Sequence, residues 1–164
     1  MIFRKAAETE GKTVLSLYRS VIGMPFCAWD ESYPGETEIL QDLSSGTLYV
    51  LEENAELIGA ISIVPENELD DAGCWAVREN AWEFARVVIR PDCQKRGLSA
   101  RLVEGILREL TARHAAAVHL AVAKQNIPAQ RLYQRMGFSF CGEADMFGHS
   151  YFLCERNLES GESA

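Results

Sequence analysis

Residues 82–99 run Trp82-Glu83-Phe84-Ala85-Arg86-Val87-Val88-Ile89-Arg90-Pro91-Asp92-Cys93-Gln94-Lys95-Arg96-Gly97-Leu98-Ser99. The order is strand, tight loop, helix. Phe84, Val87, Val88 and Ile89 form the β-branched and aromatic run of a buried strand. Pro91 cannot donate to a sheet ladder, so the strand stops before it. From Leu98 onward the apolar residues fall at Leu98, Leu102, Val103, Ile106, Leu107 and Leu110, the spacing of a helix with one apolar face. The first amides of that helix have no intrahelical partner, and the positive end of its dipole points outward over residues 94–99. Gly97 has no side chain, so an anion can approach the backbone closely. The loop therefore reads as a phosphate site, with a solvated helix end carrying ordinary surface charges as the alternative.

Local charge agrees with that reading. Residues 86–101 carry Arg86, Arg90, Lys95, Arg96 and Arg101 against Asp92 alone, in a chain of 164 residues with a net charge of −8. A basic island in an acidic protein suits a polyanionic ligand. The acidic balance argues against nucleic acid as the main partner. Length and an ordinary hydrophobic share of 48% point to one globular domain. That domain is expected over residues 1–158, with a polar tail over 159–164 expected to be disordered. No apolar run approaches membrane-spanning length, and the first residues lack a signal-peptide layout, so no membrane partner is expected. The five cysteines, Cys27, Cys74, Cys93, Cys141 and Cys154, form no Cys-x-x-Cys pair. They argue against a zinc site or disulfide framework and for a reducing cytoplasm. Cys141 and Cys154 could face each other on a hairpin, with buried free thiols the expected state.

A second block, Asn126-Ile127-Pro128-Ala129-Gln130-Arg131-Leu132-Tyr133-Gln134-Arg135-Met136-Gly137-Phe138, lies about 30 residues downstream. Asn126 suits an N-cap, Pro128 a first turn, and Gly137 a helix end that needs positive φ. Phe138-Ser139-Phe140 then opens a strand. The two blocks together resemble the GNAT superfamily of N-acetyltransferases. Gln94-x-x-Gly97-x-Ser99 is similar to its pyrophosphate signature, Gln/Arg-x-x-Gly-x-Gly/Ala. Ser99 departs from that pattern but keeps a small side chain. Residues 126–138 resemble the family's Asn-x-x-Ala-x-x-Leu-Tyr-x-x-x-Gly-Phe helix.

The resemblance implies an α/β fold of the GNAT acyl-CoA N-acyltransferase type. It would have a mixed central sheet of about seven strands with a splayed parallel pair, flanked by about four helices. It implies acetyl-CoA as co-substrate and no metal. The pantetheine arm would bond to the backbone of Val87, Val88 and Ile89. The pyrophosphate would rest on Gln94, Lys95, Arg96, Gly97, Leu98, Ser99 and Ala100, with Asn126 and Tyr133 also against the donor. Tyr133 is implied as the acid that protonates the leaving thiolate, since a phenol of reference pKa about 10 holds its proton at neutral pH; ordinary packing beside Leu132 is the alternative. Glu83 matches the place where histone-type members carry a catalytic glutamate and is implied as the base. Among Trp82, Phe84 and Val87 its carboxyl can have a raised pKa and act through a water. The alternative for Glu83 is an exposed edge residue or a structural partner of Arg86. Glu79 and Glu66 are lesser candidates.

The loop after the first helix is implied to line the acceptor side through Trp29, Asp30 and Tyr33. Core packing is the alternative for Trp29 and the preferred reading of Phe26. Trp75 and Arg78 are expected to fold over the same side. The implied acceptor is a small-molecule primary amine. The alternatives are a peptide N-terminus or lysine, or a non-catalytic acyl-CoA-binding module. A homodimer is compatible with all of these. No cysteine occupies a catalytic position, so direct transfer without an acetyl-enzyme is expected.

Elsewhere, strands are expected over residues 2–6, 47–52, 56–64, 115–123, 138–143 and 150–156, and helices over 9–22 and 37–44. Gly59 inside a strand signals a bulge or a close backbone approach. Residues 65–80 read as a polar connection, with the acidic run 66–71 a solvated turn. His114, His119 and His149 share no spacing and are assigned structural roles.

Overall fold

The computed structural model describes residues 1–65, 69 and 72–158. Glu66, the other acids of the 66–71 run and the 159–164 tail lie outside the described residues. The elements are β1 (Ile2–Lys5), α1 (Gly11–Ser20), α2 (Glu36–Ser45), β2 (Leu48–Glu53), β3 (Glu56–Val64), β4 (Ala81–Ile89), α3 (Leu98–Ala112), β5 (Ala117–Ala123), α4 (Ile127–Arg135), β6 (Ser139–Met146) and β7 (His149–Asn157). The seven strands form one mixed sheet in the order β1-β2-β3-β4-β5-β7-β6. β4 and β5 are parallel, with Ala81, Trp82 and Glu83 opposite Ala117, Val118 and His119. The fold class and the strand count match the expectation from sequence.

The chain divides into two compact units, residues 1–63 with 86–107 and residues 64–85 with 108–158. In the first, α1 turns Val14, Leu17, Tyr18 and Val21 onto one face, and these pack with Ile39, Leu48, Val50 and Val88. α1 is shorter than residues 9–22, because a 3₁₀ turn over Glu8–Glu10 precedes it. There the Glu10 carboxylate accepts from the Ala7 amide at 2.7 Å and pairs with Arg4 at 2.8 Å. Burial costs the Glu10 carboxylate less than the Arg4 bond gains it, so its pKa falls below the usual range.

Both readings of Gly59 hold. The register slips there, with Leu51 opposite Gly59 but Glu52 opposite Leu57. A Cβ on Gly59 would sit 2.8 Å from Ile89 Cδ1 and 3.0 Å from the Val88 carbonyl. Within β4, Arg86 takes a φ of +56°, which is rare for a residue with a side chain. Phe26, expected to cap the core, is instead 46% exposed. It lies in an irregular stretch with no strand or helix to turn its ring inward.

In the second unit, Phe84, Tyr133 and Phe138 meet edge to face, with centroids 5.5 to 6.0 Å apart. Asn126 caps α4 by accepting from the Ala129 amide at 3.2 Å, and Gly137 takes φ +89° at its end. The described part of the 65–80 connection is less solvated than its polar composition implies. Leu69 and Trp75 are buried there against Leu153. Cys141 and Cys154 do not face each other. Phe140 is opposite Cys154 and Gly142 opposite Leu153, which leaves Cys141 as the extra residue of a bulge.

Candidate active site

In the first unit, β4 ends at Ile89, a 3₁₀ turn occupies Pro91–Cys93, and α3 begins at Leu98. Lys95 and Gly97 both take left-handed φ, +65° and +74°. Alternating backbone signs of this kind turn successive amides inward to form an anion nest. Nothing lies within 4 Å of where a Gly97 Cβ would stand. The turn therefore presents amides, a helix start and open space, which is what a pyrophosphate needs. Gln94 braces it, donating to the Ile89 carbonyl at 3.2 Å. Ser99 and Ala100 lie in the first turn of α3, both half-buried. Val88 and Ile89 are buried and Val87 is half-buried.

The basic island is largely neutralised, by Asp92 and by three carboxylates that a local charge count does not see. Arg86 pairs with Asp42 at 2.8 Å, Arg90 with Glu56 at 2.9 Å and Asp92 at 2.7 Å, and Arg96 with Glu53 at 2.8 Å. Among the described residues, the cations of this stretch outside any ion pair are Lys95 and Arg101. Any attraction of this turn for an anion would thus rest on the amide nest with these two cations, rather than on five.

Arg86 does not serve as the partner of Glu83. Both its carboxylate bonds go to Asp42, and its Nη1 donates to the Tyr33 hydroxyl at 3.2 Å. Asp42 also accepts from Ser62 at 2.7 Å. Tyr33 is thus joined to β4, while Trp29 stands edge-on to Tyr18 at 5.5 Å and packs on the core. Asp30 is exposed. Its carboxylate accepts from the Ser32 amide at 2.7 Å. Asp42 gave no signal in the sequence, since its partner lies 44 positions away.

The second unit holds Glu83, Tyr133 and Asn126. Glu83 is 9% exposed. It is in register with His119, and His119 with Glu155. Register neighbours share a sheet face, so Glu83, His119 and Glu155 make a row across β4, β5 and β7. His119 Nε2 lies 2.8 Å from Glu155 Oε2. Glu155 also accepts from the amides of Ala76 and Val77, at 3.1 and 3.0 Å. Burial pushes its carboxyl up, and the hydrogen bonds from Val77, His119 and Ala76 outweigh that and hold it low. Trp75 stacks on His119 with ring centroids 3.8 Å apart, so it lies over this row. Arg78 donates to the Ala72 carbonyl at 3.2 Å and Glu79 is exposed. His119 is more than the bland strand residue its spacing suggested.

Tyr133 is 7% exposed, and burial with the nearby Cys154 thiol raises its phenol pKa. It therefore holds its proton firmly at neutral pH. Among the described residues its hydroxyl has no hydrogen-bond partner, while its ring packs on Phe84 and Phe138. Among the described residues no cluster of three or more His, Cys, Asp or Glu could hold a metal, and no helix is long and apolar enough to cross a membrane.

Comparison with known proteins fits this architecture. The chain is 33% identical over 71 residues to the spermine/spermidine N(1)-acetyltransferase of Bacillus subtilis (strain 168), an alignment covering 43% of this chain and 47% of that protein. The chain thus spans about half the length of the curated relatives it matches. Among solved structures, the ribosomal-protein-alanine N-acetyltransferase of Brucella melitensis superposes with a TM-score of 0.78 at 18% identity, over 96% of this chain and 100% of that one. The yncA structure of Salmonella typhimurium, solved with its cofactor acetyl-CoA, superposes at 0.77 and 18% identity, over 96% and 94%. The acetyltransferase (GNAT) family matches residues 14–138. With the parallel β4–β5 pair and the amide nest before α3, that match places the chain in the acetyltransferase (GNAT) family, whose members take the acetyl group from acetyl-CoA.

Proposed function

We propose that the chain is an acetyl-CoA-dependent N-acetyltransferase whose acceptor is a small-molecule primary amine. The observation that carries this is the 94–99 turn, where left-handed residues 95 and 97 and open space at Gly97 precede α3. The pyrophosphate rests on the amides of residues 94–100, and the pantetheine arm on the backbone of Val87, Val88 and Ile89. The β4–β5 ladder ends at the Glu83–His119 pair, upstream of that stretch. Asn126 borders the donor from the start of α4.

Transfer is direct. The neutral amine attacks the thioester carbonyl, Glu83 takes the amine proton through a water, and the carbon–sulfur bond breaks. Tyr133 then protonates the departing thiolate. Burial of Glu83 supports the base role; burial also keeps the Tyr133 phenol protonated at neutral pH, the form an acid needs, while making it a weaker donor. Trp29 and Tyr33 border the acceptor. A polycationic amine suits a protein at −8 with exposed Asp30 and Glu31 in that loop, and a relative is named for spermine and spermidine. Five free cysteines support a cytoplasmic setting.

The test is free-thiol release from acetyl-CoA across polyamines, other small amines, amino acids and peptides. Turnover on small amines, with intersecting double-reciprocal lines, is the expected result. Preference for peptides would move the acceptor class. Acetyl-CoA binding without turnover on any acceptor would make the chain a binding module. Loss of coenzyme A binding in Gly97→Glu, read by calorimetry, tests the donor site separately.

A further inference from the structure

We propose that Cys74 and Cys141 are a dithiol–disulfide pair, which a low-molecular-weight disulfide oxidises to an intramolecular bond tying the segment before β4 to β6. The proposal is independent of the acetyl-transfer reading. The two Sγ atoms lie 3.0 Å apart although the residues are 67 positions apart in the chain. A bond needs about 2 Å, so closure requires about 1 Å of movement.

Three features make the approach a built one. Cys141 is the extra residue of the β6 bulge, between the Phe140–Cys154 and Gly142–Leu153 pairs. A bulge re-aims its side chain, here toward residue 74. Next, Gly142 keeps the approach open, since a Cβ on it would stand 3.0 Å from both Cβ and Sγ of Cys74. Finally, the residues after Cys74 are anchored. Trp75 stacks on His119 and donates to the Leu69 carbonyl at 2.7 Å, and the Ala76 and Val77 amides bind Glu155. Cys154 is fully buried and opposite Phe140, which removes it as the partner.

The chemistry is thiol–disulfide exchange. Burial and the neighbouring Cys74 thiol push the Cys141 thiol up, and the exchange can begin at Cys74. Its thiolate attacks one sulfur of oxidised glutathione and expels one glutathione thiolate. Cys141 then loses its proton and attacks Sγ of Cys74 in the mixed disulfide, expelling the second. Two protein thiols become one disulfide, and the two electrons leave on two reduced glutathiones.

The experiment treats the folded chain with oxidised glutathione near pH 8, blocks remaining thiols under denaturing conditions, and reads intact mass and peptide map. A loss of about 2 Da and one Cys74–Cys141 cross-linked peptide are expected, with the other three cysteines alkylated. The oxidised protein should melt several degrees higher, reversed by dithiothreitol, because the bond closes a long loop. Cys74→Ser and Cys141→Ser should show neither the mass loss nor the rise. A stable glutathione adduct on either cysteine, or a Cys141–Cys154 link, would overturn the proposal. The wild-type mass alone decides, so a poorly folding variant does not block the test.

Discussion

Trp75 and His119 lie face to face, with ring centroids 3.8 Å apart and planes 7° from parallel, and Glu155 holds the imidazole from the side at 2.8 Å. The arrangement joins the segment before β4 to two strands at once. Glu155 is its hinge point, because one carboxylate serves His119 and the amides of Ala76 and Val77.

Glu155→Gln should therefore cost about 1–3 kcal/mol at pH 7, since a charged acceptor is stronger than a neutral amide. The Glu155 pKa is lowered in the folded protein. Its contribution is thus complete above the unfolded carboxylate value of about 4.3 and is lost as pH falls through the lower folded value. Urea unfolding from pH 7 down to pH 3 should show the gap between wild type and variant narrow only in acid. A gap unchanged by pH would mean that shape, rather than charge, holds the segment.

The Arg86–Asp42 pair makes a second prediction. Its side chains are 11% and 7% exposed, and the pair joins β4 to α2 and to Tyr33. Asp42→Ala leaves a cation in a nearly dry site and should cost about 3–5 kcal/mol. The double change Arg86→Met with Asp42→Leu should recover most of that, because replacing a buried pair by apolar groups is close to neutral. Denaturant midpoints of the single and double variants decide. A double variant no better than Asp42→Ala would show that the polar geometry itself is required.

The sequence was most informative where function depends on backbone. The strand that stops before Pro91, the glycine turn and the Asn126 cap all follow from local chemistry, and the structure has each in place. What stayed hidden was long-range. Arg86, Arg90 and Arg96 looked like free cations, because Asp42, Glu56 and Glu53 approach them only after the sheet forms. The partners of His119 were hidden because Glu155 and Trp75 come from another strand and a loop. Cys141 and Cys154, which could have faced each other on a hairpin, do not, because a bulge shifts register by one residue and no residue type announces it.

Gly59 packs directly against Val88 and Ile89 of the strand proposed to bind the donor. Gly59→Ala drives a methyl to 2.8 Å from Ile89 Cδ1 and 3.0 Å from the Val88 carbonyl, and a backbone atom cannot swing aside as a side-chain tip can. A stability loss of about 1–3 kcal/mol is expected. Coenzyme A affinity should fall as well, because residues 88 and 89 must shift. Gly73→Ala is the control, with nothing within 4 Å of the new methyl. Unchanged affinity in Gly59→Ala, measured by calorimetry, would separate this strand from donor binding.

Tyr133 combines a packed ring with a hydroxyl that has no partner among the described residues. The two parts can be removed separately. Tyr133→Phe keeps the contacts with Phe84 and Phe138, so stability should change by less than about 1 kcal/mol. Tyr133→Ala empties the space between those rings and should cost about 3–5 kcal/mol. If the phenol protonates the leaving thiolate, Tyr133→Phe lowers kcat and kcat/KM together, at unchanged acetyl-CoA affinity, because the lost interaction exists only in the transition state. About 10²-fold or more is the expected size for one general acid. Acetyl-CoA analogues with better leaving groups should narrow the deficit, since an acidic thiol departs without a proton. A deficit of the same size with every leaving group would assign the hydroxyl to positioning the thioester. Full turnover in Tyr133→Phe, with chemistry rate-limiting, would transfer the acid role to water or to another group.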